Sequence, residues 1–199
     1  IGTGSSTVFA LTAGVPYYIM WDDEDQSASS VTFSLSCPAP DPCTNISNVT
    51  CGSSSTTTLN GSVSAFNPGG CYSTPGQEQV YSFTAPSTGS YTINVSGSTG
   101  TDYFDYYFKA AGTGCGPTGW TCIDDITGSG TSVTFNLTGG TTYLILVDKE
   151  NFLGNNATMS QTWSIGCPPP PPANDNCANA TSFTGNSQPF TTVSASGTD

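Results

Sequence analysis

Carboxylates and thiols are the side chains through which this 199-residue sequence could do chemistry: it has 14 acidic residues and eight cysteines, but two lysines, no arginine and no histidine. Without histidine, neither a Ser-His nor a Cys-His nucleophilic pair can form. Paired carboxylates, at Asp124-Asp125 or along Asp22-Asp23-Glu24-Asp25, are the remaining route to acid–base work such as glycoside hydrolysis. Nothing in the sequence fixes their separation or raises one pKa, as an acid and base pair requires. No catalytic residue is therefore assigned, and the chain is read as a non-enzyme.

The same carboxylates suit another role. Asp102, Asp105, Asp124 and Asp125 lie near the two ends of one hairpin-like region, and hard oxygen ligands gathered on loops fit calcium. The simpler reading is acidic turn residues without an ion; no cofactor is required, and calcium is the alternative. Asp22 and Glu24 recur as Asp148 and Glu150 after a matching segment, which suggests a turn cap or a weak ion site in each repeat.

That recurrence is general. The segment 9–22 matches 135–148 at a constant offset of 126, Thr32 to Pro38 matches Thr162 to Pro168 at 130, and Asp41-Pro42-Cys43 resembles Asp175-Asn176-Cys177. The sequence thus reads as the C-terminal part of one repeat (1–37), a proline-rich linker (38–42), a complete repeat (43–167), a second linker (168–176) and the N-terminal part of another repeat (177–199). A period this long exceeds that of a solenoid and indicates domains in an array. The five prolines of 168–172 favour polyproline II, a semi-rigid spacer, so the array is expected to be extended.

Within the complete repeat, Tyr91, Ile93 and Val95 alternate with polar residues, as do Val133, Phe135 and Leu137, so each set predicts a strand with one face in the core. Further strands are expected over 80–84, 103–110, 142–147 and 161–165, separated by Gly, Pro, Ser and Asn clusters. The predicted fold class is all-β: antiparallel, jelly-roll-like β-sandwich domains in tandem.

Composition bounds the setting. A net charge of -12 repels phosphate backbones and anionic bilayers, so nucleic acid is excluded as a partner, and no apolar run is long enough for membrane insertion. Eight cysteines in a hydroxyl-rich, weakly charged chain indicate disulfides in an oxidising compartment, extracellular or at the cell surface. Zinc is a poor fit, because Cys115 and Cys122 are too widely spaced and histidine is lacking. If each repeat closes on itself, the pairs are Cys115–Cys122, Cys51–Cys71 and Cys43–Cys167, with Cys37 and Cys177 left for adjoining repeats. The rival arrangement straddles the linkers, Cys37–Cys43 and Cys167–Cys177. Sequons at Asn45, Asn48, Asn60, Asn94, Asn136, Asn156 and Asn179 permit glycosylation. Trp21 and Trp163 fall on predicted strands and are expected in the core. Trp120, set among glycines, is either packed into its own loop or displayed to bind surface glycans.

The run Val80-Tyr81-Ser82-Phe83-Thr84-Ala85-Pro86-Ser87-Thr88-Gly89-Ser90-Tyr91-Thr92-Ile93, followed by Phe104-Asp105, Cys122-Ile123-Asp124-Asp125 and Leu137-Thr138-Gly139-Gly140-Thr141-Thr142-Tyr143, resembles the pre-peptidase C-terminal (PPC-like) type of domain. Pro172-Ala173-Asn174-Asp175-Asn176-Cys177 resembles the start of such domains in tandem arrays of secreted bacterial surface proteins. The resemblance implies a jelly-roll-like sandwich serving as an accessory or adhesive module, and it implies no catalysis. Two functions remain open: a structural or adhesive array whose repeats or subunits join head to tail in a surface filament, or a binding module that holds a secreted enzyme near polysaccharide or protein. The truncated repeats at 1–37 and 177–199 require continuation, expected through covalent neighbours rather than strand exchange between subunits.

Overall fold

The computed structural model describes residues 8–12, 14–20, 32–35, 37–61, 64–71, 75–151, 157–170 and 185. The chain divides into two compact units, Ile1–Ser36 and Cys37–Asp199. Among the described residues the second holds ten strands: β1 (Ser47–Val49), β2 (Ser55–Asn60), β3 (Pro75–Thr84), β4 (Gly89–Ser98), β5 (Phe104–Ala110), β6 (Thr121–Ile126), β7 (Gly130–Thr131), β8 (Phe135–Leu137), β9 (Thr142–Glu150) and β10 (Thr158–Gly166). One 3-10 turn, Ala111–Thr113, follows β5. No helix among the described residues is long and apolar enough to cross a membrane.

The strands form two sheets, one ordered β1-β3-β9-β5-β6 and the other β2-β10-β4-β7, with β8 also pairing with β4. Among the described strands, only β1 runs parallel to its neighbour, β3. This is the expected all-β sandwich. Alternation in β4 puts Tyr91, Ile93 and Val95 against Phe83, Phe104, Tyr106, Ile145, Val147 and Trp163, because successive strand residues point to opposite faces. Polar atoms that enter this core are satisfied: Trp163 Nε1 donates to Thr57 Oγ1 at 2.8 Å, Tyr106 Oη to Gln161 Oε1 at 2.6 Å, and Gln161 Nε2 to the Ile126 carbonyl at 2.8 Å. Trp163 is buried, whereas Trp21 lies outside the described residues.

Val133 does not join Phe135 and Leu137 in the core; it is 62% exposed. The strand breaks at Ser132, whose amide donates to the Ile93 carbonyl while its hydroxyl accepts from the Ile93 amide, each at 2.9 Å. The hydroxyl thus stands where a backbone carbonyl would, and the irregularity resets which side chains face inward.

The first sheet is covered on both faces. Its outer side carries Val80, Tyr107, Leu144 and Leu146, covered by Phe66 and Trp120 from the loops at 64–71 and 115–120. Burial on both sides explains why β9 is mostly apolar without alternation. Disulfides pin this cover. Cys43 joins Cys115, Cys71 joins Cys122, and Cys51 joins Cys167, so each of the three expected pairs is replaced, and Cys37 is free and exposed instead of bridged to Cys43. Cys115 and Cys122 are kept apart by the loop between them, which wraps Lys109: its Nζ donates to the Gly116 and Thr118 carbonyls at 3.0 and 3.1 Å and lies 4.4 Å from the Trp120 ring centroid. Cys51 lies in a bridge beside Ile165, which brings Cys167 within a Cα–Cα distance of 5.7 Å.

One turn occurs in both units. In the first, the Thr12 amide donates to Tyr17 Oη at 3.0 Å and the Val15 amide to the Thr12 carbonyl at 3.3 Å. In the second, the Thr138 amide donates to Tyr143 Oη at 3.0 Å and the Thr141 amide to the Thr138 carbonyl at 3.2 Å. Gly14 and Gly140 take φ of 78° and 74°, a conformation that glycine adopts without the steric cost of a Cβ. These residues correspond at the offset of 126 found in the sequence.

A candidate cation site

Cross-strand register assembles a row of carboxylates on the outer face of the first sheet. Glu78 of β3 pairs with Asp148 of β9, Asp148 with Asp105 of β5, and Asp105 with Asp125 of β6. Glu150 lies two residues beyond Asp148, on the same face of β9 by the period of two. Carboxylate oxygens of Asp105, Asp125 and Glu150 all lie within 4.8 Å of one another.

The surroundings are dry. Glu78, Asp105, Asp148 and Glu150 are buried, and Asp125 is half-buried. Glu78 is well supplied with donors: the Ser64 hydroxyl, and the Ala65 and Phe66 amides at 3.1 and 2.8 Å. Asp148 Oδ1 accepts from the Gly76 amide at 3.2 Å and Asp105 Oδ2 from Tyr107 Oη at 3.1 Å. Gly76 is required by packing, since a Cβ there would lie 2.3 Å from the Lys149 carbonyl oxygen. Glu150 Oε1 and Asn151 Oδ1 are buried without a hydrogen-bond partner among the described residues.

Burial and crowding raise the carboxyl pKa values. Desolvation, then the charges of Asp105 and Asp125, push Glu150 up to about 8. Asp148 is held well above its usual range by desolvation first, then by Glu78 and Asp105. Desolvation also raises Glu78 despite its donors, and raises Asp125 with help from Asp124. Tyr107 shifts upward through burial and the adjoining Asp105 carboxylate.

The four aspartates that offered the alternative calcium set do not all converge. Asp105 and Asp125 come together. Asp102 instead makes a buried ion pair with Lys149 at 2.8 Å, and Asp124 accepts from the Val133 amide at 2.9 Å. Glu150 and Asp148, read from sequence as a turn cap or a weak ion site after the strand, are themselves strand residues of this row. Their spacing in D-x-E form, Asp148-Lys149-Glu150 at a predicted strand end, was the available signal. Trp120 is 9% exposed and donates to the Gly116 carbonyl at 2.7 Å, so it packs its own loop and is not displayed to glycans. Among sequon residues, Asn45, Asn48 and Asn136 are exposed and Asn60 and Asn94 half-buried; Asn156, Asn179, Cys177, Asp22 and Glu24 lie outside the described residues.

No known protein family matches the sequence, and no curated protein does. Among solved structures, the chain is similar to the pre-peptidase C-terminal domain of collagenase from Bacillus anthracis, with a TM-score of 0.41 and 14% identity over 66% of this chain and 99% of that one. It is also similar to Salmonella Typhimurium PliG, a periplasmic lysozyme inhibitor of g-type lysozyme, with a TM-score of 0.33 and 13% identity over 61% of this chain and 99% of that one.

Proposed function

We propose that this chain belongs to an extracellular, non-catalytic repeat protein in which disulfide-stapled β-sandwiches bear tension between proline-rich spacers, as a structural or adhesive filament. The observation that carries the reading is the Cys51–Cys167 bridge. One spacer ends just before Cys43, and the other begins at Pro168, directly after Cys167. Pulling on the spacers therefore loads only residues 43–51 and the bridge, while the strands from β2 to β10 lie outside the covalent path. A unit wired in this way transmits force without unfolding. The repeated Thr-Tyr turn supports equivalence of the units, and three bridges support export to an oxidising compartment. Electron microscopy of the native material under non-reducing conditions tests the proposal: thin filaments with regularly spaced, domain-sized beads support it, and discrete enzyme particles overturn it.

A further inference from the structure

The chain has two cationic side chains, and both are engaged away from the carboxylate row. Lys109 is held by the carbonyls of Gly116 and Thr118, and Lys149 by Asp102 and the Glu150 carbonyl. Because the sequence contains no arginine, histidine or further lysine, no third cationic side chain is available to balance the charge that this cluster carries when Asp125 and Glu150 are ionised. Like charges in directly opposed positions destabilise a sheet, and buried charges need a partner. Glu150 is 1% exposed, and its Oε1 has no hydrogen-bond partner among the described residues; it belongs to the set of oxygens that lie within 4.8 Å of one another. That span fits oxygens arranged around one ion at 2.3–2.6 Å. The donors are all hard oxygens, with neither sulfur nor imidazole, which selects calcium over the softer transition metals.

We propose that calcium binds where Asp105, Asp125 and Glu150 converge, tying β5, β6 and β9 together across the outer face of the first sheet. The site is independent of the load path through Cys51 and Cys167, so either proposal can fail alone. The ion would replace the missing cationic side chain and make the row an asset to the fold. Its affinity falls in the range of extracellular calcium modules, a Kd of roughly 10⁻⁴–10⁻³ M.

The test uses the intact, non-reduced protein with calcium or terbium as probe. Tyr107, whose hydroxyl meets Asp105 Oδ2, is placed to sensitise bound terbium. Excitation of tyrosine should give terbium emission that calcium displaces, and calcium titration should raise Tm with a midpoint in the stated range. Glu150→Gln and Asp125→Asn should each weaken calcium binding at least tenfold while circular dichroism stays native. Asp124→Asn should bind as the parent does, because Asp124 serves the Val133 amide. Tyr107→Phe should lose most emission yet keep calcium affinity. Absence of a calcium-dependent Tm shift up to 10 mM, or binding unchanged in both Glu150→Gln and Asp125→Asn, overturns the proposal; if Glu150→Gln fails to fold, half-buried Asp125 decides it.

Discussion

Removing the Cys51–Cys167 bridge as Cys51→Ala/Cys167→Ala should convert an inextensible unit into an extensible one, by an amount the bridge topology sets. In the parent, the covalent path between the spacers spans residues 43–51, a contour of about 30 Å at 3.3–3.6 Å per residue. In the variant, Cys43–Cys115 remains, so the path runs from Cys43 across to Cys115 and on to residue 167. That stretch of about 50 residues extends to about 170 Å. Full reduction frees 43–167 entirely, to about 420 Å. Single-molecule force extension, with handles on the two proline-rich segments, reads these lengths. The parent should show no unfolding step, the variant one step near 170 Å and the reduced protein one near 420 Å, each less the folded end-to-end distance. A step near 420 Å in the oxidised parent would refute the load path, and a variant that stays inextensible would show that another bridge carries the force.

The same variant should lose stability. The other bridges shorten the loop that Cys51–Cys167 closes to about 60 residues, for which chain entropy gives about 4 kcal/mol, read as a fall in denaturant midpoint at unchanged slope. Lys149→Met strands Asp102 in the interior and should cost about 3–5 kcal/mol, with most of the loss recovered when Asp102 is also made apolar; equal stability in the single variant contradicts the pairing. Trp163→Ala removes a side chain packed edge-on against Tyr81 and Tyr106 and should cost about 3–5 kcal/mol by chemical denaturation. Raised carboxyl pKa values in the fold mean that the protonated forms favour folding: this contribution is whole below about pH 4.5 and disappears as pH rises through the native values, about 8 for Glu150. In chelator, Tm should therefore be higher at pH 5 than at pH 8.5, and an opposite slope contradicts the reading.

The sandwich was legible because β4 and the central part of β9 carry strong periodic or continuous apolar signals. β2 was not, since Ser-Thr-Thr-Thr-Leu-Asn offers one large apolar residue and gains its burial through Thr57, whose hydroxyl meets Tyr81 and Trp163. The true end of β9 was hidden because Asp148 and Glu150 look like turn residues, yet β3 and β5 flank them on both sides. Only register could place Glu78, Asp148, Asp105 and Asp125 in one row, and register is a tertiary property. Disulfide partners were illegible for the same reason: Cys115 and Cys122 are close in sequence, but Lys109 and Trp120 fill the loop between them.

The most direct test of the load-bearing proposal is peptide mapping of the native protein without reduction, with thiols blocked before digestion. The bridge topology predicts a peptide containing Cys51 linked to one containing Cys167, alongside Cys43–Cys115 and Cys71–Cys122. Cys167 linked instead to Cys177, with Cys51 bound elsewhere, would contradict it, because tension would then pass through the whole sandwich.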